Sequence, residues 1–386
     1  MRILHVIHSM SPASGGPAGV VRELAQAAQT APEGGGIYEA EVVSLDDPKE
    51  GFLKSEAFPI HGVGPGVGKY GFTLRMDRWL ADNLSRFDGV IVNGLWQYHG
   101  YAAWKACRGT KPYLVFPHGM LDPWFKTAYP AKHLKKALYW ALAERRLLRD
   151  ATAVMFTSAT EAQLAPQSFR RSEWKGRVVP YGTVAPGGDR DLQVERFYAA
   201  CPGVREGAFL LFVGRLHKKK GIDLLIPAFS ANYRDDPQMH LVIAGPDEEG
   251  LQPVLSSLAK SGGVGDRVHF PGMLRGDEKW GAFRAAEAFA LPSHQENFGV
   301  VVAEALACGT PVLISDKVNI WQDIVEDGVG LVEADDLPGT TRLLARWRAL
   351  GSAARGAMAA KCLPCFQRRY DVSELPRILA DVLRLG

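Results

Sequence analysis

Glu304 is a carboxylate inside an apolar run, Val300-Val301-Val302-Ala303-Glu304-Ala305-Leu306-Ala307-Cys308. Its helical neighbours at i±4 are Val300 and Cys308, and at i±3 Val301 and Ala307, so its own helix supplies no polar partner. A buried carboxylate left unpaired is costly. Its partner therefore comes from another segment or from a ligand. Glu296 stands upstream in a polar loop, Ser293-His294-Gln295-Glu296-Asn297, at the mouth of the same helix. Two carboxylates placed this way suit the recognition of hydroxyl groups, although Glu296 alone also reads as a solvated surface acid.

Three other segments carry usable chemistry. Gly214-Arg215-Leu216-His217-Lys218-Lys219-Lys220-Gly221 joins a strand to a helix, where free backbone N–H groups and the positive end of the helix dipole attract phosphate. Arg215 can fork onto phosphate oxygens and Lys220 adds a point charge. The alternative is a lysine-rich solvated loop. Ser14-Gly15-Gly16-Pro17 fills the corresponding loop near the start, where glycine lets backbone approach a ligand closely. It matches neither the dinucleotide-binding nor the Walker pattern, and an ordinary turn is the alternative. Phe116-Pro117-His118-Gly119 places a histidine just after an apolar strand; a core histidine satisfied by backbone would read the same way.

Elements that could position these residues recur in two halves. Strand-like runs begin at Ile3, Glu41, Gly89, Tyr113 and Ala153, then at Phe209, His240, Val268, Ala288 and Pro311, with helical stretches between them. Such alternation implies parallel sheets joined by right-handed crossovers, and continuous apolar strands such as LLFV suit sheets covered on both faces. The expected fold is α/β, with two Rossmann-like domains whose parallel sheets face a central cleft. Val179 to Arg190, rich in proline and glycine, reads as the linker. The expected division is a first Rossmann-like domain over 1–180, a second over 181–365, and a helix over 366–386 that could pack back on the first domain. Ligands of open α/β sheets bind at the carboxyl ends of the strands, where all four segments lie.

Composition narrows the class. The chain has 386 residues, 47% of them apolar, and a net charge of +3, which argues against a dedicated nucleic-acid binder. The start, MRILHVIHS, is too short for a signal peptide, and no apolar run reaches the ~18 residues of a membrane span. A cytoplasmic protein is expected. Five scattered cysteines are not a disulfide framework, and Cys362-Leu363-Pro364-Cys365 lacks the second pair a zinc site would need. The stretch Lys132 to Arg149 is basic and amphipathic; it reads as a packing helix or as a contact with the anionic inner face of the plasma membrane.

Taken together, these residues resemble the retaining glycosyltransferases of the GT-B fold, family 4, once called glycosyl transferases group 1. The likeness rests on the E-x7-E element from Glu296 to Glu304 with the following ALACGTPV, on GR-x4-KG at Gly214 to Gly221, on the Gly15-Gly16 loop, on His118-Gly119, and on VPYG in the linker. It covers essentially the whole chain. The resemblance implies that Arg215 and Lys220 hold the donor diphosphate as it leaves, and that Glu304 accepts hydrogen bonds from the ribose. It implies Glu296, Asn297, Phe298 and Gly299 beside the transferred sugar, and His118 at the reaction centre. Gly15, Gly16 and Gly214 would approach the phosphates, and Met273 and Leu274 would line the base.

The implied reaction uses a nucleotide-diphosphate sugar as co-substrate, with no metal or other cofactor. A fixed Arg/Lys pair and a helix N-terminus would stabilise the leaving diphosphate. Asp235-Asp236 and Asp335-Asp336 read as solvated turns and not as a metal-binding DxD element. Two departures stand out: Tyr181 replaces the asparagine usual in the linker of relatives, and Lys218-Lys219 make the phosphate loop unusually basic. The acceptor, a glycan or lipid-linked molecule, falls to the first half, where Trp96, Asp122 and Trp124 are weak candidates. Surface or exopolysaccharide assembly is the expected setting. A sugar-nucleotide 2-epimerase on the same fold and a non-catalytic sugar-nucleotide-binding protein are the competing readings.

Overall fold

The computed structural model describes residues 1–14, 16–29, 36–128 and 130–385. These form two compact units, Met1–Tyr181 with Val372–Gly386, and Gly182–Asp371.

The first unit is built on seven parallel strands: β1 (Arg2–Ile7), β2 (Glu39–Ser44), β3 (Ile60–Gly62), β4 (Gly89–Asn93), β5 (Tyr113–Phe116), β6 (Ala153–Phe156) and β7 (Gly176–Val178). Their order across the sheet is β3-β2-β1-β4-β5-β6-β7. Every residue of β4, β5 and β6 is buried, as expected of strands covered by helices on both faces. Leu4 and Val6 face one core with Met76 and Leu80, which come from the helix Leu74–Asn83. The last helix, Leu375–Arg384, buries Leu375, Leu379 and Leu383 in this unit. Leu383 packs so close to β4 that a side chain at Gly89 would meet it at 2.9 Å.

The second unit carries six parallel strands: β8 (Ala208–Val213), β9 (Met239–Ala244), β10 (Val268–Gly272), β11 (Ala288–Leu291), β12 (Val312–Ser315) and β13 (Gly330–Glu333). They are ordered β10-β9-β8-β11-β12-β13. In each sheet the order reverses direction at one point, between β1 and β4 in the first unit and between β8 and β11 in the second. Crevices at such reversals are where open α/β sheets take their ligands.

Three features differ from the sequence reading. Strands β3 and β7 have three residues each at the sheet edges and lack apolar runs, so no periodicity announces them. The basic stretch is not one helix: Pro130–Tyr139 passes into a π-helical turn, Trp140–Glu144, and then Arg145–Arg149. Residues 366–369 complete the helix Ser352–Arg369, and the final helix starts only at Leu375. Cys362 and Cys365 lie buried in that longer helix as free thiols, and burial pushes the Cys362 thiol up to about 12.

Candidate functional site

In the second unit, the loops after β8 and β11 flank the reversal point. Gly214 follows β8, its N–H donating to Ala244 O at 2.9 Å. His217 then caps a short turn, Lys218–Lys220, by accepting the Lys219 N–H at Nδ1 (3.0 Å). Gly221 follows with φ +68° and opens the helix Ile222–Tyr233; a Cβ there would lie 2.1 Å from Pro292 O. Only glycine fits this joint. The turn aims Lys220 across the reversal, where Nζ donates to Glu296 Oε2. Both side chains are about four-fifths buried, at 18% and 19% exposure. Glu296 is itself anchored by backbone, its N–H donating to Lys317 O (2.9 Å) and its carbonyl accepting from Asn319 N (3.0 Å).

Arg215 lies on the same loop but is half exposed, 3.6 Å from Glu248. Among the described residues its guanidinium is thus held by a solvated carboxylate, a pairing that is worth little and easily exchanged. After Glu296, Phe298 is buried with its ring edge-on to Tyr370 at 5.7 Å, and Gly299, at φ +76°, starts the helix Val300–Ala307.

Glu304 is buried in that helix, and its partner is another segment: Lys279 Nζ donates to Oε1 at 2.8 Å. Lys279 comes from the helix Gly276–Ala285 and also sits 4.2 Å from the centre of the Trp280 ring. Protein thus supplies a partner, and burial of Glu304 does not by itself require a ligand. Its assignment to a ribose rests on the resemblance. Between β10 and the Lys279 helix, Leu274 is buried and Met273 is 47% exposed.

The carboxylate pairs set aside as turns have partners of their own. Asp235 pairs with Arg348 at 3.0 Å, Asp335 with His294 at 3.1 Å, and Asp336 caps the helix Leu337–Ala349 through the Gly339 N–H.

In the first unit, the loops after β4 and β5 carry Trp96 and His118. Asn93 closes β4, and the two residues Gly94 and Trp96 beyond it adopt positive φ, 89° and 73°. The Trp96 N–H donates to Glu144 Oε1 (2.8 Å) and its indole N–H to Met120 O (3.1 Å), while Lys136 lies 4.6 Å above the ring. Glu144 comes from the π-helical turn and is 1% exposed. Burial pushes its carboxyl up to about 8, against the opposing pull of the Trp96 N–H and Lys136.

His118 follows β5 in a left-handed conformation, φ +49°, with Gly119 at +75°. Its ring stacks on Phe116 with centroids 5.5 Å apart. The strained step is held by Glu161, which accepts the Gly119 N–H (2.7 Å) at one oxygen and Thr157 N–H and O–H at the other. Desolvation holds the His118 imidazole down to about 3, so it is neutral at physiological pH. Asp122 Oδ1 accepts the Trp124 N–H (2.8 Å) and starts the helix Trp124–Ala128. Gly16 is the first residue of the helix Gly16–Gln29, with open space where a Cβ would stand, and Gly15 lies outside the described residues.

Lys220 and Glu296 are thus in contact, with Arg215 on the same loop. Glu304 is paired separately, and His118, Trp96 and Asp122 occupy the other unit. Lys279, Glu144 and Glu161 escaped the sequence reading. Glu161 alone left a local signal: Ser158-x-x-Glu161 has capping-box spacing, and Ser158 Oγ accepts the Glu161 N–H at 3.1 Å.

The fold and these sites define an α/β protein with two Rossmann-like units of the GT-B type. Residues 5–182 match the family model described as glycosyl transferase 4-like domain, and residues 203–338 the one described as glycosyl transferases group 1. The chain belongs to this glycosyltransferase family. The D-inositol 3-phosphate glycosyltransferase of Actinosynnema mirum is 34% identical over 205 residues, which is 50% of this chain and 48% of that protein. The chain spans about half the length of the curated relatives it matches first. Among solved structures, the sucrose-phosphate synthase from Thermosynechococcus elongatus aligns with a TM-score of 0.77 at 19% identity, over 100% of this chain and 99% of that one. Anabaena HepE in complex with UDP and glucose aligns with a TM-score of 0.77 at 18% identity and the same coverage. At these identities the structures speak for the fold.

Proposed function

We propose that the protein transfers a sugar from a nucleotide-diphosphate donor to a hydroxyl of a glycan or lipid-linked acceptor. The transfer retains anomeric configuration and uses no metal. The observation that carries this reading is the Lys220–Glu296 pair at the sheet reversal of the second unit, with Arg215 on the same loop. A diphosphate entering there exchanges one anionic partner for another. Arg215 leaves the exposed Glu248, and Lys220 turns from Glu296 toward phosphate oxygens. Glu296 is then released toward sugar hydroxyls.

As the glycosidic bond breaks, charge collects on the departing diphosphate, and these fixed cations stabilise it at that moment. Glu304 accepts the ribose hydroxyls in place of Lys279, Leu274 and Met273 line the base, and Asn297, Phe298 and Gly299 bound the sugar. By the resemblance, His118 serves the transferred sugar, and Gly15, Gly16, Trp96, Asp122 and Trp124 serve the phosphates and acceptor. Retention follows from same-face attack by the acceptor hydroxyl. Surface or exopolysaccharide assembly on the cytoplasmic side is the setting this implies.

HepE binds UDP and glucose on the same fold, so uridine diphosphate sugars come first in a donor panel. The test is turnover of that panel, read as nucleoside diphosphate release and product mass, with anomeric configuration assigned by NMR. The reading is lost if no nucleotide sugar binds or turns over and neither Arg215→Ala nor Glu296→Ala changes anything. An isomerised donor sugar without transfer would favour the epimerase.

Peripheral membrane contact belongs to the same reading. Leu134, Leu138 and Leu142, spaced every four residues along the basic stretch, are 74%, 67% and 58% exposed among Lys132, Lys135 and Arg146. Exposed leucines beside cations suit an anionic lipid surface. No helix among the described residues is long and apolar enough to cross a membrane.

A further inference from the structure

Tyr181, the linker residue that departs from the usual pattern, is 5% exposed in the first unit and places its hydroxyl 3.2 Å from His118 Nδ1. On the other side of the ring, His118 Nε2 lies 3.3 Å from Asn93 Oδ1. We propose that Asn93 and Tyr181 are positioning residues that together hold His118 as the Nε2–H tautomer.

The hydrogen-bond directions follow from groups that have only one way to satisfy themselves. Asn93 is buried, and its Nδ2 donates to Ile91 O at 3.2 Å. Reversing the amide would set its oxygen against that carbonyl, two acceptors face to face, so Oδ1 is the atom turned toward the histidine. An acceptor at that position demands a hydrogen on Nε2. A neutral imidazole carries one hydrogen, so Nδ1 is bare and accepts. The Tyr181 hydroxyl is the donor it meets. Burial, with the Glu161 and Glu23 charges adding to it, raises that phenol well above its ordinary range and keeps its proton in place. In the opposite tautomer, bare Nε2 would face Asn93 Oδ1 lone pair to lone pair.

Backbone and ring are therefore fixed by different devices. Glu161 holds the left-handed His118-Gly119 step through the Gly119 N–H. Asn93 decides which ring nitrogen carries hydrogen, and Tyr181 meets the bare one. The long contact to Asn93 is the weaker of the ring's commitments, so its N–H can be passed to an incoming oxygen. Resting on the proposed function, that oxygen is a hydroxyl of the transferred sugar, and His118 acts as a hydrogen-bond donor and not as a base.

Long-range proton–nitrogen NMR of the full chain labelled with ¹⁵N tests this without any substrate, the His118 signals being assigned by their loss in His118→Gln. The expected result is an Nε2–H pattern throughout about pH 6 to 8, the range in which an ordinary histidine would titrate. In Asn93→Leu, which removes the Oδ1 acceptor, the pattern should shift toward a mixture of tautomers. An Nδ1–H pattern in the unaltered protein overturns the proposal, and that measurement needs no variant to fold. A pattern unchanged by Asn93→Leu in a folded variant overturns it as well. With an active donor, Tyr181→Phe should lower kcat by up to about 100-fold while leaving nucleoside diphosphate affinity unchanged. If no donor turns over, the functional reading fails and the NMR result still decides the tautomer.

Discussion

The two sheets reverse direction in the same way and end in loops of opposite electrostatic character. In the second unit the strand ends carry paired charges: Lys220 with Glu296, Lys279 with Glu304, Arg215 with Glu248. In the first, three buried groups near the strand ends are neutral at physiological pH, although the carboxylates Glu161 and Asp46 stand beside them. His118 and His99 are held down to about 3 and about 4, and Glu144 is raised to about 8. On the proposed function, the difference separates two tasks. A site that must take up and release a doubly charged group keeps its cations partly solvated and already paired, so exchange of partners strands no charge. A site that must hold an orientation uses buried, single-direction hydrogen bonds, for which a titrating group would be a weakness.

The most severe break of this comparison is removal of a cation in the second unit. Arg215→Ala and Lys220→Ala should each lower donor turnover by about 10² to 10³, equivalent to ~3 to 4 kcal/mol, as for other preorganised contacts to developing charge. Thermal stability should hardly move for Arg215→Ala, because its pair with Glu248 is half exposed. Steady-state kinetics beside a melting curve checks both. Unaltered turnover in either variant would mean that charge handling is not the task of these loops.

Next in size is the pair whose role the structure leaves shared between fold and ligand. Lys279→Ala strands Glu304, whose side chain is 8% exposed, and should cost about 3 kcal/mol or more in urea unfolding. Replacing both together, Lys279→Met with Glu304→Leu, should recover most of that loss, since an apolar pair substitutes for a buried ionic one. The same double variant should bind nucleoside diphosphate more weakly by calorimetry. If it binds as the unaltered protein does, Glu304 is structural and belongs with the core.

How much of this could be read from residues alone follows the range of each interaction. Strands β4, β5 and β8 announce themselves because burial on both faces leaves continuous apolar runs. The edge strands β3 and β7 do not, being three residues long and incompletely buried. The π-helical turn at Trp140–Glu144 is invisible because its residues suit an ordinary helix. Arg215, Lys220, Glu296 and His118 stand out by their position after strands, but their partners do not. Lys279 meets Glu304 across 25 positions and Tyr181 meets His118 across 63, with no periodicity linking either pair. A buried carboxylate says that a partner exists, and only the packing of helices says which.

A smaller effect sharpens the neutral side. Glu144 has a folded value raised to about 8 from an ordinary 4.5, so the native state holds a proton that the unfolded chain has lost. Stability should therefore fall as pH rises through that window, and level off above about 8. Between pH 7 and 8 the loss should be ~1 kcal/mol, close to the limit of ~1.4 kcal/mol per unit for one group. Glu144→Gln should flatten this segment of the urea-unfolding profile while keeping the bond from the Trp96 N–H. An unchanged slope would place a charged carboxylate at the heart of the unit described as neutral.

The smallest expected effect lies on the outer surface of that same unit, where charge returns. Leu134, Leu138 and Leu142 touch little, so serine at each should alter folding stability by no more than about 0.5 kcal/mol. Lys132→Gln and Lys135→Gln should be equally mild for stability, yet each should weaken binding to vesicles containing anionic lipid by ~1 kcal/mol, and salt should weaken it further. Sedimentation with anionic and with neutral vesicles separates the outcomes. Binding lost with the lysines and the leucines assigns this face to a lipid surface. Indifference to both would make the exposed row an ordinary helix face, and would confine the first unit's function to its buried, neutral strand ends.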